Sequence, residues 1–162
     1  MITTPEPESL GGQLANALGT VLQRQVRARI YGELTRGLDD AIDDTTYPVI
    51  SAIGRSGPRS AAQLAGDVGT DRSVVSRHAD RLVASGLLRR VPDPADGRAT
   101  LLALTADGAR QVAVMRRRLH TALDDYLATW PPERAQAFVE GFTEFVEHGP
   151  FGPPIGSPRR CT

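Results

Sequence analysis

Hydrophobic residues recur at every fourth position near the start of the chain. The series is Leu10, Leu14, Leu18, Leu22, Val26, Ile30, Leu34 and Leu38. This spacing is close to the helical repeat, so it predicts one long first helix that ends near Gly37. Because four residues exceed one helical turn by about 40°, the apolar stripe winds around the helix. Its two ends are therefore expected to pack on different partners.

A second helix is predicted after an acidic stretch, beginning near Thr45 or Thr46 and ending at Gly57 and Pro58. Pro48 suits its first turn, where a missing backbone N–H breaks no helical hydrogen bond.

Two short helices joined by a tight turn are predicted next. Ser60 and Gln63 have the spacing of a capping box, which opens a helix that Gly69 closes. Thr70 or Asp71 then caps a second helix that ends at Gly86. On this second helix one side is apolar (Val75, Ala79, Leu82) and the other is polar (Ser73, Ser76, Arg77, Asp80). The pair is typical of a helix-turn-helix.

A β-hairpin is predicted to follow the helix-turn-helix. Residues 87–91 and 99–104 have strand-like composition, and they flank the seven residues 92–98, which include an Asp-Gly pair. A hairpin in this position is a wing. The predicted fold class is therefore mainly α with a small β-hairpin, that is, an α+β winged helix-turn-helix.

Two further helices are predicted, from Thr105 to about Trp130 and, after Pro131 and Pro132, to residue 148. These helices and the first one carry more apolar residues than a small head can cover, which favours a helical dimerisation stem and a homodimer. The expected organisation is a disordered N-terminus (1–9), an N-terminal dimerisation region (10–45), a DNA-binding head (46–104), C-terminal dimerisation helices (105–148) and a disordered tail (149–162).

Composition limits the class of protein. The 162 residues, of which 40% are hydrophobic and 23% charged, suit one soluble globular domain or one protomer of an intertwined oligomer. The apolar runs are too short to cross a bilayer, and the polar first residues do not resemble a signal peptide. Cys161 has no second cysteine to pair with, and an inert thiol is favoured over a redox sensor. We expect a cytoplasmic protein.

The charges are segregated along the chain. The formal net charge is zero, from 19 basic and 19 acidic residues, and every basic residue is arginine. Residues 55–98 hold eight arginines and five aspartates, a balance of +3, whereas residues 28–46 have a balance of −3. The positive segment coincides with the predicted head, which favours a nucleic-acid partner.

Residues of about 10–147 resemble a MarR-family transcriptional regulator, most densely over 47–108. The resemblance depends on short segments in a fixed order: SAAQLA at 60–65, VVSR at 74–77, GLL at 86–88, DGR at 96–98, LT at 104–105, and Gly108. It implies a dimeric regulator of palindromic DNA, often a repressor that releases DNA when a small aromatic molecule or an oxidant arrives. It also implies an effector pocket where the first, second and fifth helices meet.

The expected DNA contacts lie on the recognition helix and the wing. The recognition helix is expected to enter the major groove, where Arg77 suits a bidentate contact to guanine. Ser73 and Ser76 suit bases or phosphates, Arg72 and Arg81 suit phosphates, and Ser60 is included among the DNA-binding residues. At the wing, Arg98 is expected to enter the minor groove while Asp96 pairs with a nearby arginine. Solvated surface charges and an ordinary exposed turn remain the alternative interpretations.

For the effector pocket we expect a lining of Tyr31 and Tyr47, with His120 a weaker addition, although a core or interface role is favoured for both tyrosines. His78, His120 and His148 lack metal-ligand spacing, and the arginine run 116–118 suits a solvated face or cross-dimer pairs. No nucleotide-binding loop or serine elbow is present, so neither an enzyme nor a cofactor is expected. Two alternatives stay open: a winged-helix module that binds protein, and a ligand-sequestering dimer with a vestigial reader.

Overall fold

The computed structural model describes residues 9–150. Expectations for residues 1–8 and 151–162, including Cys161, lie outside this range. Within it the elements are α1 (Leu10–Leu22), α2 (Arg24–Thr35), α3 (Tyr47–Ser56), α4 (Ala61–Val68), α5 (Arg72–Ala84), β1 (Leu88–Pro92), β2 (Thr100–Leu104), α6 (Ala106–Leu127) and α7 (Pro132–His148). The predicted mainly helical class with one hairpin is confirmed. None of the described helices is long and apolar enough to span a membrane.

The described residues form two compact units, one up to Arg118 and one from Leu119 onward. The first contains the helix-turn-helix and the hairpin.

The prediction of one long first helix is wrong. The helix breaks at Gln23, whose backbone is extended (φ −60°, ψ 137°), and α2 ends at Thr35 instead of Gly37. By Leu22 the four-residue stripe has turned by roughly 120° from Leu10, so a straight helix would present two different faces. No residue of α1 is buried among the described residues, which leaves no packing to hold the two segments in line.

The core of the first unit forms around α3, α4, α5 and the hairpin. Its fully buried side chains come from each of these elements: Ile50 and Ile53, Leu64, Val75 and Leu82, and Leu88. Val112 and Met115 of α6 join the same cluster. Val75, Ala79 and Leu82 are all buried, so the predicted apolar side of α5 is confirmed. Burial of this side leaves the polar side of α5 facing outward.

The predicted turn between α4 and α5 is also confirmed. The Ser60 hydroxyl accepts from the Gln63 N–H at 3.2 Å, and the Gln63 side chain accepts from the Ser60 N–H at 2.9 Å. Gly69 closes α4 in the left-handed conformation (φ 66°), where a side chain would be strained. Asp71 occupies the N-cap of α5, but its side chain makes no capping hydrogen bond.

The hairpin pairs β1 and β2 in antiparallel register from Leu88 opposite Leu104 to Pro92 opposite Thr100. β1 is displaced by one residue from the predicted 87–91, and β2 begins one residue later than the predicted 99–104 but ends as predicted. Arg59 adds a bridge to Leu102 through two backbone hydrogen bonds of 3.1 and 2.8 Å. This bridge attaches the segment before α4 to the base of the wing.

Two arginines of α6 attach this helix to α3 and to the end of α2. Arg116 donates to the carbonyl oxygen of Gly54 at 3.1 Å, and Arg118 donates to those of Leu34 and Arg36 at 2.9 and 2.7 Å. For these two residues the expectation of a solvated face or cross-dimer pairs is therefore wrong. The carbonyls at the end of α2 have no helical partners, which explains why a guanidinium binds there.

The second unit contains a row of aromatic side chains. Tyr126, Trp130, Phe138 and Phe142 lie in sequence with ring centroids 5.3–5.9 Å apart, and Arg134 lies over the Trp130 ring. None of the residues of α7 is buried within the described chain. An exposed apolar face of this kind is typical of an interface.

Candidate nucleic-acid interface

The outward side of α5 forms a polar ridge of Ser73, Arg77 and Asp80, all exposed. Helical geometry places these residues opposite the buried Val75 and Leu82. The Arg77 guanidinium has no acceptor and no carboxylate partner among the described residues. An unpaired guanidinium on an exposed helix can bind the O6 and N7 atoms of guanine without first losing another contact.

A cleft of about 390 Å³ lies beside this ridge, between the start of α4, the flank of α5 and the base of the hairpin. The predicted residues Ser60, Arg72, Ser76 and Arg98 all line it. They come from sequence positions nearly forty residues apart, yet the fold brings them to one concave surface. No acidic residue is among those that line the cleft.

The wing turn is held by two aspartates. Asp93 accepts from the Ala95 N–H at 2.9 Å, and Asp96 accepts from the Arg98 N–H at 3.0 Å. The expected pairing of Asp96 with an arginine side chain is not formed among the described residues. Asp96 instead accepts a hydrogen bond from the backbone N–H of Arg98. The Arg98 guanidinium is exposed and has no partner in the described part of the chain.

Arg81 differs from the other predicted contacts. Its guanidinium lies 2.7 Å from Asp43 Oδ2 and donates to the Asp40 carbonyl oxygen, also at 2.7 Å. These bonds join α5 to the acidic loop before α3. Since the Arg81 guanidinium already binds Asp43 and the Asp40 carbonyl, Arg81 is not part of the proposed DNA interface.

Sequence reasoning missed Arg90. It lies on β1, lines the cleft, and its Nη2 lies 2.5 Å from Asp80 Oδ1 on the ridge. The only sequence feature that pointed to Arg90 was its place in the positively charged segment 55–98, which does not indicate where its side chain lies. Arg59 was also missed: its Nε is buried without a hydrogen-bond acceptor, and the nearest carboxylate oxygen, on Asp67, is 3.8 Å away.

Comparison with known proteins gives one family resemblance. Residues 41–99, which include all of the cleft lining except Thr100 and Leu102, match the sequence model of the MarR family. A relative, the HTH-type transcriptional regulator YxaD of Bacillus subtilis, is 24% identical over 115 residues, covering 71% of this chain and 80% of its own. Over this segment the chain is similar to MarR-family proteins.

Two solved structures share the fold. RV1404 from Mycobacterium tuberculosis superposes with a TM-score of 0.65 at 25% identity, over 91% of this chain and 99% of its own. PcaV from Streptomyces coelicolor, solved with its natural ligand, gives a TM-score of 0.55 at 23% identity, over 91% and 99% of the two chains.

A second cavity, of about 260 Å³, lies between α2, the acidic loop before α3, α3 and α5. Its polar lining is Arg24, Arg27, Tyr31, Asp44, Thr45, Thr70 and His78, and its apolar lining includes Pro48, Val49, Val68 and Val74. Like the cleft, it lies wholly within the first unit.

The cavity agrees only in part with the expected effector pocket. Tyr31 lines it, and Tyr47 stacks on Tyr31 with ring centroids 4.5 Å apart. His120 is exposed on the second unit and is not a lining residue. The imidazole in the lining is that of His78, from the recognition helix itself. The predicted fifth helix corresponds to α6, and no residue of α6 lines the cavity.

Proposed function

We propose that this chain forms a homodimer that binds palindromic duplex DNA and represses transcription. The observation that carries the proposal is that the unpaired guanidinium groups of Arg72 and Arg98 line one cleft, beside the α5 ridge that carries the unpaired, exposed Arg77. Arg77 lies on the ridge that can enter the major groove, and Arg98 lies on the hairpin beside it. Arg72, at the N-terminal end of α5, suits a phosphate.

A homodimer is supported by apolar surface that the described chain leaves open. Leu10, Leu14, Val21 and Leu22 of α1 are exposed, as are Phe138, Val139, Phe142 and Val146 of α7. Surfaces of this extent are normally covered in a soluble protein. Two-fold symmetry would present two recognition helices about 34 Å apart, one turn of duplex DNA, and the matching operator is a palindrome.

We also propose that a small aromatic anion enters the cavity and weakens DNA binding. Arg24 and Arg27 have no partner among the described residues, and they stand beside the Tyr31 ring and an apolar floor. This arrangement suits a ring that bears a carboxylate. Val74 and His78 of the recognition helix α5 line the cavity. A ligand that binds one position of α5 more tightly than another therefore changes the fraction of the protein that can bind DNA.

A binding experiment tests the DNA part of the proposal. The full chain is titrated onto a duplex from its own promoter region and onto a random-sequence duplex, at several salt concentrations. We expect affinity that falls steeply with salt and is higher for one palindromic site, which selection from a random library will identify. Binding that is absent or insensitive to salt would favour the protein-binding winged-helix module instead. Ligand affinity without sequence-specific DNA binding would favour the sequestering dimer.

We further propose a cytoplasmic protein that uses no cofactor and catalyses no reaction. An open, arginine-lined cleft beside a polar helix suits binding to DNA.

A further inference from the structure

One acidic side chain stands on the surface that is proposed to face DNA. Asp80 follows Ser76 by four residues and Arg77 by three on α5, so all three lie on neighbouring positions of the outward side. An isolated carboxylate there would be repelled by the phosphates of any duplex, whatever its sequence. Its presence on this ridge therefore needs a physical account.

Arg90 is the ion-pair partner of Asp80. Its Nη2 lies 2.5 Å from Asp80 Oδ1, and its side chain also lines the cleft with Arg72 and Arg98. Of these three arginines only Arg90 has a carboxylate partner among the described residues. The pair has no net charge, so while it is intact it neutralises no phosphate and releases no counterion.

Counterion release controls sequence-independent affinity. Each phosphate that a protein cation neutralises adds about 0.9 to the slope of log K against log salt on B-DNA. A fourth free arginine in each head would raise affinity for all sequences, whereas the contacts of Arg77 to bases would be unchanged. The ratio of specific to non-specific affinity would stay the same, but each head would bind DNA of any sequence more tightly.

We propose that Asp80 acts as an internal counter-ion for Arg90 and thereby limits sequence-independent DNA binding by the head. It holds the guanidinium on the protein and keeps it from binding phosphates indiscriminately. The side chains are 62% and 50% exposed, so the pair is open to solvent and its role need not be to stabilise the fold. This inference rests on the DNA-binding function proposed above.

The test uses the full-length protein and two duplexes of about 30 base pairs, one of random sequence and one carrying the selected palindrome. Fluorescence anisotropy gives Kd from low to high salt for the wild type, Asp80→Asn and the double variant Asp80→Asn/Arg90→Gln. Asparagine keeps the size of aspartate but removes its charge. Asp80→Asn is expected to steepen the salt slope on both duplexes by about one unit per head, and to leave the ratio of the two affinities nearly unchanged. The double variant is expected to return to the wild-type slope.

Asp107→Asn is the matched control. Asp107 forms an exposed ion pair with Arg110 on α6, and neither residue lines the cleft. This substitution also removes one carboxylate and frees one arginine, so it measures the effect of overall charge. Little change in the salt slope is expected.

The single variant Arg90→Gln gives a second measurement, which leaves the Asp80 charge without its partner. We expect weaker binding to both duplexes, and thermal unfolding verifies that each variant is folded.

Three results would overturn the inference: an unchanged slope in Asp80→Asn, a steeper slope that persists in the double variant, or an equal steepening in Asp107→Asn. Each of these can occur while the wild type binds DNA normally, which separates them from failure of the proposed function. If the wild type does not bind DNA at all, both proposals fail together.

Discussion

Asp43 Oδ2 lies 2.7 Å from Arg81 Nη1, and this ion pair joins the acidic loop to the recognition helix. The same carboxylate accepts hydrogen bonds from the hydroxyl of Thr45 and from the backbone N–H groups of Thr45 and Thr46. Burial alone would raise the pKa of Asp43. The hydrogen bonds from Thr45, Arg81 and Thr46 outweigh burial and hold this pKa well below its ordinary value of 3.8.

The first prediction concerns stability and pH. Because the folded-state pKa is lowered, the stability that the Asp43 charge contributes is present at neutral pH and is lost as pH falls below about 4. Asp43→Asn is expected to lower the free energy of unfolding at pH 7 by about 1–2 kcal/mol, discounted for partial exposure. Its deficit relative to the wild type should shrink at pH 3. Urea denaturation at both pH values measures this.

Asp44→Asn is the control for that experiment. Asp44 is exposed and has no hydrogen-bond partner among the described residues. A change below about 0.5 kcal/mol is expected. Equal deficits for the two variants would mean that the hydrogen bonds to Asp43 do not stabilise the fold.

The second prediction concerns the wing. Arg98→Ala is expected to weaken operator binding and to reduce the salt slope by about one unit per head, because it removes one cation from the interface. Arg89→Ala is the control on the same hairpin, since Arg89 is exposed but does not line the cleft. Salt titrations of both variants that match the wild type would exclude Arg98 from the interface.

The third prediction separates base recognition from phosphate binding. Arg77→Gln is expected to relax the preference for guanine at one position of each half-site, at a cost of about 1–3 kcal/mol for that base pair. Arg72→Gln should instead weaken binding by a similar factor on all sequences. Selection from a random library measures both. If the two variants select the same consensus as the wild type, neither arginine reads a base.

The fourth prediction concerns the contact between α6 and the hairpin. A Cβ added at Gly108 would lie 2.0 Å from the carbonyl oxygen of Leu87, which is backbone and cannot move aside easily. Gly108→Ala is expected to destabilise the protein by about 1–3 kcal/mol. Gly66, inside α4, has nothing within 4 Å of such a Cβ, so Gly66→Ala should stabilise by about 0.5–1 kcal/mol. Thermal denaturation of the two variants should show shifts of opposite sign.

The fifth prediction concerns the cavity. Benzoate and hydroxybenzoates should raise the melting temperature of the wild type and lower its affinity for DNA, because binding to the folded state stabilises it. Arg27→Gln should reduce both effects. Arg55→Gln serves as the control, since Arg55 is an exposed arginine outside the cavity. Absence of any shift with these acids in the wild type would remove the ligand part of the proposal.

The winged helix-turn-helix could be predicted because its signals are local. The Ser60 capping box, the left-handed Gly69 and the apolar spacing of α5 each depend on residues within one or two turns. The break at Gln23 could not be predicted in this way. The residue at the break is neither proline nor glycine, so it gives no local signal for a helix end.

Only the tertiary structure shows which partner each arginine side chain binds. Arg81, Arg90 and Arg118 are alike in sequence, yet one binds the acidic loop, one binds Asp80 and one caps the carbonyls of α2. A guanidinium reaches several ångströms and binds the nearest available oxygen. Which oxygen is nearest depends on elements that are far apart along the chain.

The sequence by itself therefore determined the order of helices and strands in the head, the outward side of the recognition helix and the hairpin that carries Arg98. Capping, periodicity and turn formation act between neighbours, so they can be read without knowing the fold. Only the tertiary structure decided which charges are free to meet DNA, and that His78 rather than His120 lines the cavity. These outcomes depend on distances between segments, which chain order does not specify.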